Sequence, residues 1–190
     1  MKIRHYALLL MIAVTPLLGG CFAAVATGVA TTAFVAADRR TTGAIADDTA
    51  IELKANNQIG NLLQGKGHVD VTSYNRIVLL TGEIPDASFK SRIENAVRGI
   101  ANVRGVNDEL TVMAPSSLSS RANDTYITSK VKAKFVDANK FPANYVKVVT
   151  ERGIVYLLGL VTHQQAEDAV QIARNTGGVQ KVVTAFEYID

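Results

Sequence analysis

The sequence predicts an α+β fold laid down twice in tandem, on the strength of an internal repeat and an element order shared by its two copies. The segment Ile77 to Gly82 returns 77 positions later as Ile154 to Gly159, with four of six residues identical. Asp48 and Thr49 return as Asp124 and Thr125, and Val103, Val106 and Leu110 return as Val179, Val182 and Phe186, both at a spacing of 76. Coincidence is a poor explanation for three matches in one order, and a period this long indicates duplicated domains and not a solenoid. The two units span 48–112 and 123–190, each near the lower size at which a lone core is comfortable.

Each unit reads αββαβ. A helix begins after the Asp and Thr signal, with Ile51, Ala55, Ile59 and Leu62 on one face of the first copy and Ile127, Val131 and Phe135 in the second. Alternating residues then predict a hairpin: Val69, Val71 and Ile77 to Leu80, then Val146, Val148 and Ile154 to Leu158, with Asn75 and Gly153 at the turns. A second helix starts near Asp86 in the first unit. In the second, Thr162 and Gln165 make a capping box, and Gly177 and Gly178 end the helix. A last strand, Val106 to Val112 or Val182 to Tyr188, completes a small mixed three-stranded sheet with both helices on one face. Between the units, 113–122 with Pro115 and four serines reads as a linker.

The N-terminus carries Lys2 and Arg4, an apolar stretch from Ala7 to Leu18, and the tetrad Leu18, Gly19, Gly20, Cys21. This resembles the lipobox of a bacterial lipoprotein precursor, with 1–20 a signal peptide and Cys21 the acylated first mature residue. Two other readings stand beside it: an ordinary cleaved signal peptide, or an uncleaved membrane span continuing to Ala37. The Ala-, Thr- and Val-rich remainder of 21–47 reads as a flexible tether, with a helix lying on the membrane as the alternative. Cleavage after Gly20 removes two basic residues and no acid, so 20 basic residues become 18 against 17 acidic ones and the net charge falls from +3 to +1. The high pI is thus largely a targeting feature, and no nucleic-acid partner is expected.

A single cysteine excludes an internal disulfide and a Cys-rich metal site. The mature histidines are His68 and His163, and HExxH, GxSxG, P-loop and Rossmann patterns are absent. The expectation is a chain that is not an enzyme, with no catalytic residue, no metal and no cofactor.

The repeat order, Gly82 and Gly159 at the hairpins' ends, the Gly178, Val179, x, x, Val182 pattern and the run Asn123 to Thr128 resemble the BON domain. The first copy departs by carrying Asn102 where a glycine is usual. Two such domains behind a lipobox resemble the dual-BON-domain outer-membrane lipoproteins, the DolP family. The resemblance implies an outer-membrane anchor facing the periplasm, a role in envelope integrity at the division site, and binding of anionic phospholipid by the first helix of the second domain. Phe22 in place of an aspartate after the acylated cysteine agrees with outer-membrane sorting.

What differs between duplicated domains is the better guide to function. At about 100° per residue, Tyr126, Ser129, Ala133 and Val136 form an uncharged stripe away from the core face, flanked by Lys130 and Lys132 with Lys134 nearby. The aligned first-unit residues are Ala50, Leu53, Asn57 and Gly60, with Lys54 the one lysine, and Asn56 and Gln58 replacing the others. An interfacial ring and an aliphatic side chain beside lysines suit an anionic, phosphatidylglycerol-like surface, whereas a plain solvated basic face is the bland reading. Tyr126 stands where the family often has tryptophan, which implies weaker insertion. The expected partners are therefore the membrane through the lipid on Cys21 and anionic phospholipid. The alternative reading is an adaptor that docks an envelope protein through the same stripe or a sheet edge.

Overall fold

The computed structural model describes residues 38–190; the signal segment, the lipobox and Cys21 lie outside the described residues. Element order is α1 (Thr42–Leu63), β1 (His68–Tyr74), β2 (Ile77–Ile84), α2 (Ser88–Arg98), β3 (Gly105–Val112), α3 (Leu118–Ala138), β4 (Val146–Glu151), β5 (Ile154–Val161), α4 (His163–Arg174) and β6 (Lys181–Tyr188), with a 3-10 turn at Ala143–Tyr145. The expected αββαβ order is present in both copies. The sheets run β1-β2-β3 and β4-β5-β6. In each, the hairpin is antiparallel and the last strand pairs in parallel with the central one. No helix of the described residues is long and apolar enough to cross a membrane.

The repeated aspartates do something other than start a helix. Both hairpins turn over two residues of positive φ, Asn75 (49°) and Arg76 (67°), then Arg152 (50°) and Gly153 (73°). Such turns match the strand twist but leave corner N–H groups without ladder partners. Asp48, buried inside α1, accepts from the N–H groups of Asn75 (2.8 Å) and Arg76 (2.7 Å), from Ser73 Oγ (2.6 Å) and from Arg40 Nη1 (2.9 Å). Asp124 on α3 accepts from Arg152 N (2.9 Å) and Gly153 N (2.8 Å). The helices start upstream, where Thr41 Oγ1 accepts from Ala44 N and Ser117 Oγ accepts from Ser120 N. Residues 42–47 of the expected tether and 118–122 of the expected linker are therefore helix. The end of that tether is also fixed: Arg39 Nη1 donates to Leu160 O and Gln165 Oε1 (both 2.8 Å). Asn102 has φ 71° and its counterpart Gly178 has φ 103°. The backbone there is left-handed, a conformation asparagine tolerates better than most residues.

Along β2 and β5 successive side chains enter different cores. Val78 and Leu80 pack with Ile51, Ala55, Ile59, Ile93 and Val97 under α1 and α2. Val155 and Leu157 pack with Ile127, Val131, Phe135 and Ala169 under α3 and α4. Leu79, Tyr74, Tyr156 and Leu158 form a third cluster, in which the faces of the two sheets that carry no helix meet. The two domains thus form one four-layer body: helices, sheet, sheet, helices. Glu83 on β2 is fully buried in this contact, where it accepts from Arg152 Nε and from Ser116 N (2.9 Å). Further ties are Lys147 to Glu52 (2.9 Å), Arg104 to Glu187 (3.0 Å) and Asn75 Nδ2 to Glu187 (2.8 Å).

Two expected outcomes follow from these contacts. Asp48→Ala leaves several buried donors without acceptors and is expected to cost about 3 kcal/mol, and Asp124→Ala about 2. Urea denaturation of each variant checks the order. At Glu151, burial foremost, then the charges of Glu83, Asp70 and Asp124, outweigh Arg152 and push the carboxyl up to about 7 from 4.5. His68, Arg121 and Lys132 line the same cavity. Between these pH values the folded chain holds a proton that the unfolded chain has released. Stability is therefore expected to fall as pH rises from 4.5 to about 7, by up to about 3 kcal/mol. Glu151→Gln is expected to flatten that slope in urea titrations at several pH values in buffer containing EDTA.

Candidate functional site

α3 presents the residues singled out above. Its C-terminus is closed by Asn139, whose φ of 47° lets its N–H reach Phe135 O. Ile127, Val131 and Phe135 face the core, at 2%, 0% and 0% exposure. Phe135 meets Phe141 edge-on with ring centroids 5.2 Å apart. This packing sets the helix rotation and turns the opposite face outward.

On that face Tyr126 is 62% exposed and Val136 65%. Ser129 and Ala133 lie between them and are exposed. Ser129 Oγ donates to Thr125 O at 3.0 Å, and Thr125 Oγ1 donates to Arg121 O at 3.0 Å. With its donor used inside the helix, Ser129 contributes less polarity than its type suggests. The stripe is accordingly a continuous small-and-apolar strip with one aromatic ring.

The lysines divide into two kinds. Lys130 Nζ donates to Gly177 O and Lys134 Nζ to Asn175 O, each at 2.6 Å. Both acceptors lie just beyond the C-terminus of α4, where carbonyls carry the negative end of the helix dipole. Lys130 Nζ also lies 5.2 Å from the centroid of the Tyr126 ring. These two lysines therefore bolt α3 to the end of α4 and are only half-buried. Lys132 stands on the other flank, exposed, at the rim of a cavity of about 400 Å³. The sequence pattern did not distinguish the two kinds, because the acceptors lie 47 and 41 residues away.

Sequence reasoning also missed neighbours of the stripe. Asp137 is exposed beside Tyr126 in projection, an acid on a flank read as basic. With Lys134, Ala138, Gln171, Ile172 and Asn175 it lines a shallow groove of about 420 Å³ between α3 and α4. The first domain offers no equivalent: on α1, Leu53 is 64% exposed among Ala50, Asn57 and Gly60, with Lys54 alone beside it. His163, the other mature histidine, stacks on Tyr188 at 4.0 Å and bonds Asp190 at 2.8 Å on the surface. Among the described residues, the side chains placed to hold a metal ion are His68, Asp70 and Glu151, on the interdomain side of α3. They were invisible in sequence because Glu151 comes from the second copy and the other two from the first.

The BON domain model matches residues 47–114 and 123–190. The chain is 38% identical over 185 residues to the outer membrane lipoprotein DolP of Haemophilus influenzae, covering 96% of each chain. It is 30% identical over 154 residues to the 21 kDa hemolysin of Actinobacillus pleuropneumoniae, covering 80% of this chain and 79% of that one. It is 31% identical over 144 residues to the osmotically-inducible protein Y of Escherichia coli, covering 74% and 72%. Two BON domains packed back to back, and likeness to DolP along almost the whole length of both chains, place this protein among the dual-BON-domain outer-membrane lipoproteins of the DolP family.

Proposed function

We propose that this lipid-anchored protein is non-enzymatic, faces the periplasm, binds anionic phospholipid through α3, and thereby supports outer-membrane integrity at the division site. The observation that carries the binding is the outward pair Tyr126 and Val136, exposed on the helix face opposite the core and flanked by lysines in the second domain alone. The integrity and division roles come from the family resemblance, and the non-enzymatic reading from the missing nucleophile and metal motifs.

The expected strength follows from these groups. Three lysines near an anionic surface contribute roughly 3 kcal/mol, about 1 each. Lys130 and Lys134 each spend one donor on a carbonyl but keep their full positive charge. Partial burial of Tyr126 and Val136 adds about 2 kcal/mol. About 5 kcal/mol in all corresponds to a dissociation constant between millimolar and micromolar. Such a site cannot recruit a free protein. A lipid anchor holds it at roughly millimolar effective concentration, where it biases position among lipids.

The test is a titration of the acyl-free 22–190 fragment with phosphatidylglycerol micelles, followed by backbone NMR shifts. Shifts are expected to concentrate between residues 126 and 136 and to vanish in Tyr126→Glu, with the fold unchanged. Lys132→Ala is expected to weaken lipid binding with little effect on stability. Lys130→Ala and Lys134→Ala are each expected to cost about 0.5–1 kcal/mol in urea unfolding, through the lost contacts to the α4 terminus. Unmoved α3 resonances on lipid addition would overturn the proposal. One stoichiometric protein crosslinked through Tyr126 would favour the adaptor reading.

A further inference from the structure

We propose that His68, Asp70 and Glu151 form a zinc-class divalent-cation site that bridges the two BON domains. Their ligand atoms all lie within 4.8 Å of one another. His68 and Asp70 stand on β1, on the sheet face turned toward the second domain, and Glu151 ends β4 opposite them.

The case rests on an unmet need at a buried group. Glu151 is 7% exposed, and its Oε1 is buried with no hydrogen-bond partner. His68 Nε2 is likewise buried without a hydrogen-bond partner, with Asp70 Oδ2 3.5 Å away. A buried carboxylate oxygen without a donor is costly, and a cation is one of the few groups that relieves it. The nearby Arg152 guanidinium gives only partial relief through its charge, because its Nε donates to the fully buried Glu83 and its Nη2 to Ala114 O (3.0 Å) and not to this oxygen.

One imidazole nitrogen and two carboxylate oxygens suit zinc better than magnesium or calcium, which prefer oxygen-only shells. Bonds of about 2.1 Å in a tetrahedral site put ligands about 3.4 Å apart, a closure of at most about 1.4 Å from the 4.8 Å limit. The Asp70 side chain is 58% exposed and can turn to supply much of it. Ligation through Nε2 needs the proton on Nδ1, where Arg121 Nη1 lies 3.5 Å away. That contact is at the limit of a hydrogen bond, and Arg121 keeps Ser116 O at 3.3 Å through Nη2. The fourth position opens onto the cavity of about 400 Å³ lined by Thr128, Ser129 and Lys132, leaving room for water. Because the ligands come from both copies, the ion would hold the domains together.

The experiment uses the untagged full chain in detergent micelles, stripped with EDTA and titrated with zinc chloride by calorimetry, and then with magnesium chloride. One zinc per chain is expected, with no comparable heat from magnesium and a higher melting temperature in zinc. Glu151→Gln and His68→Asn are expected to weaken zinc binding by more than the ~10–100-fold typical of losing a supporting partner. Asp70→Asn, at an exposed position, tests the same prediction without threatening the fold. His163→Ala is expected to leave binding unchanged. No zinc binding, binding unaltered by all three ligand variants, or binding lost only in His163→Ala would each overturn the proposal.

Discussion

The central strands β2 and β5 are apolar on both faces, and a domain with two helices can cover only one of them. Val78 and Leu80 are sealed by α1 and α2, which leaves Leu79 and Tyr74 facing outward from the first copy. The second copy has the same difficulty with Tyr156 and Leu158. Exposed, such faces would be apolar patches of the kind soluble monomers rarely carry. Packing the copies back to back buries both at once and accounts for a duplication that is structurally one body. The polar residues farther along the same faces are buried by the same event. Thr81 and Glu83 lie at 1% and 0% exposure, and Glu151 at 7%. Glu83 is met there by Arg152 and Ser116 N, from the second domain and the segment leading to it.

Much of this was legible because it is periodic. The repeat, the αββαβ order, the mixed sheets and the core stripe of α3 all follow from spacings of 2, 3.6 and 76 that a chain records directly. The uninterrupted apolar run in β2 and β5 also carried the signal for two-sided burial. What the chain does not record is the partner of a polar side chain. Asp48 and Asp124 read as helix starts because an aspartate before an apolar stripe usually is one. Their acceptor oxygens are used instead 27 to 29 residues away, at the hairpin corners. The hydroxyls of Thr41 and Ser117 do the capping, several residues upstream.

The lysines on α3 show the same limit, with a bearing on function. Composition alone makes Lys130, Lys132 and Lys134 one basic group. Their geometry ties two of them to the end of α4, so these orient the helix as well as supply charge. This orientation is worth something at a surface: a ring and an ammonium already held 5.2 Å apart lose little side-chain freedom on contact with headgroups. The first domain has Lys54 and Gln58 at the corresponding positions and a leucine outward, so it lacks the aromatic and most of the charge.

α3 thus serves three surfaces with one period. Ile127, Val131 and Phe135 take the core, and Tyr126, Ala133 and Val136 take the outside. Arg121, Asp124 and Thr128 line the interdomain cavity, where Thr128 Oγ1 reaches Thr150 Oγ1 at 2.7 Å. An amphipathic helix at the edge of a single domain needs two faces, and the third exists only because a second domain lies against it. Conversely, Asp124 anchors both the β4–β5 turn and this helix, so a change at the interdomain face is carried to the residues that look outward through a rigid element and not through a loop. Lys132 sits where those faces join, exposed to solvent yet on the rim of the cavity between the domains. Duplication therefore supplied more than a cover for apolar sheets: it gave one helix of one copy a set of surroundings that its counterpart, α1, does not share.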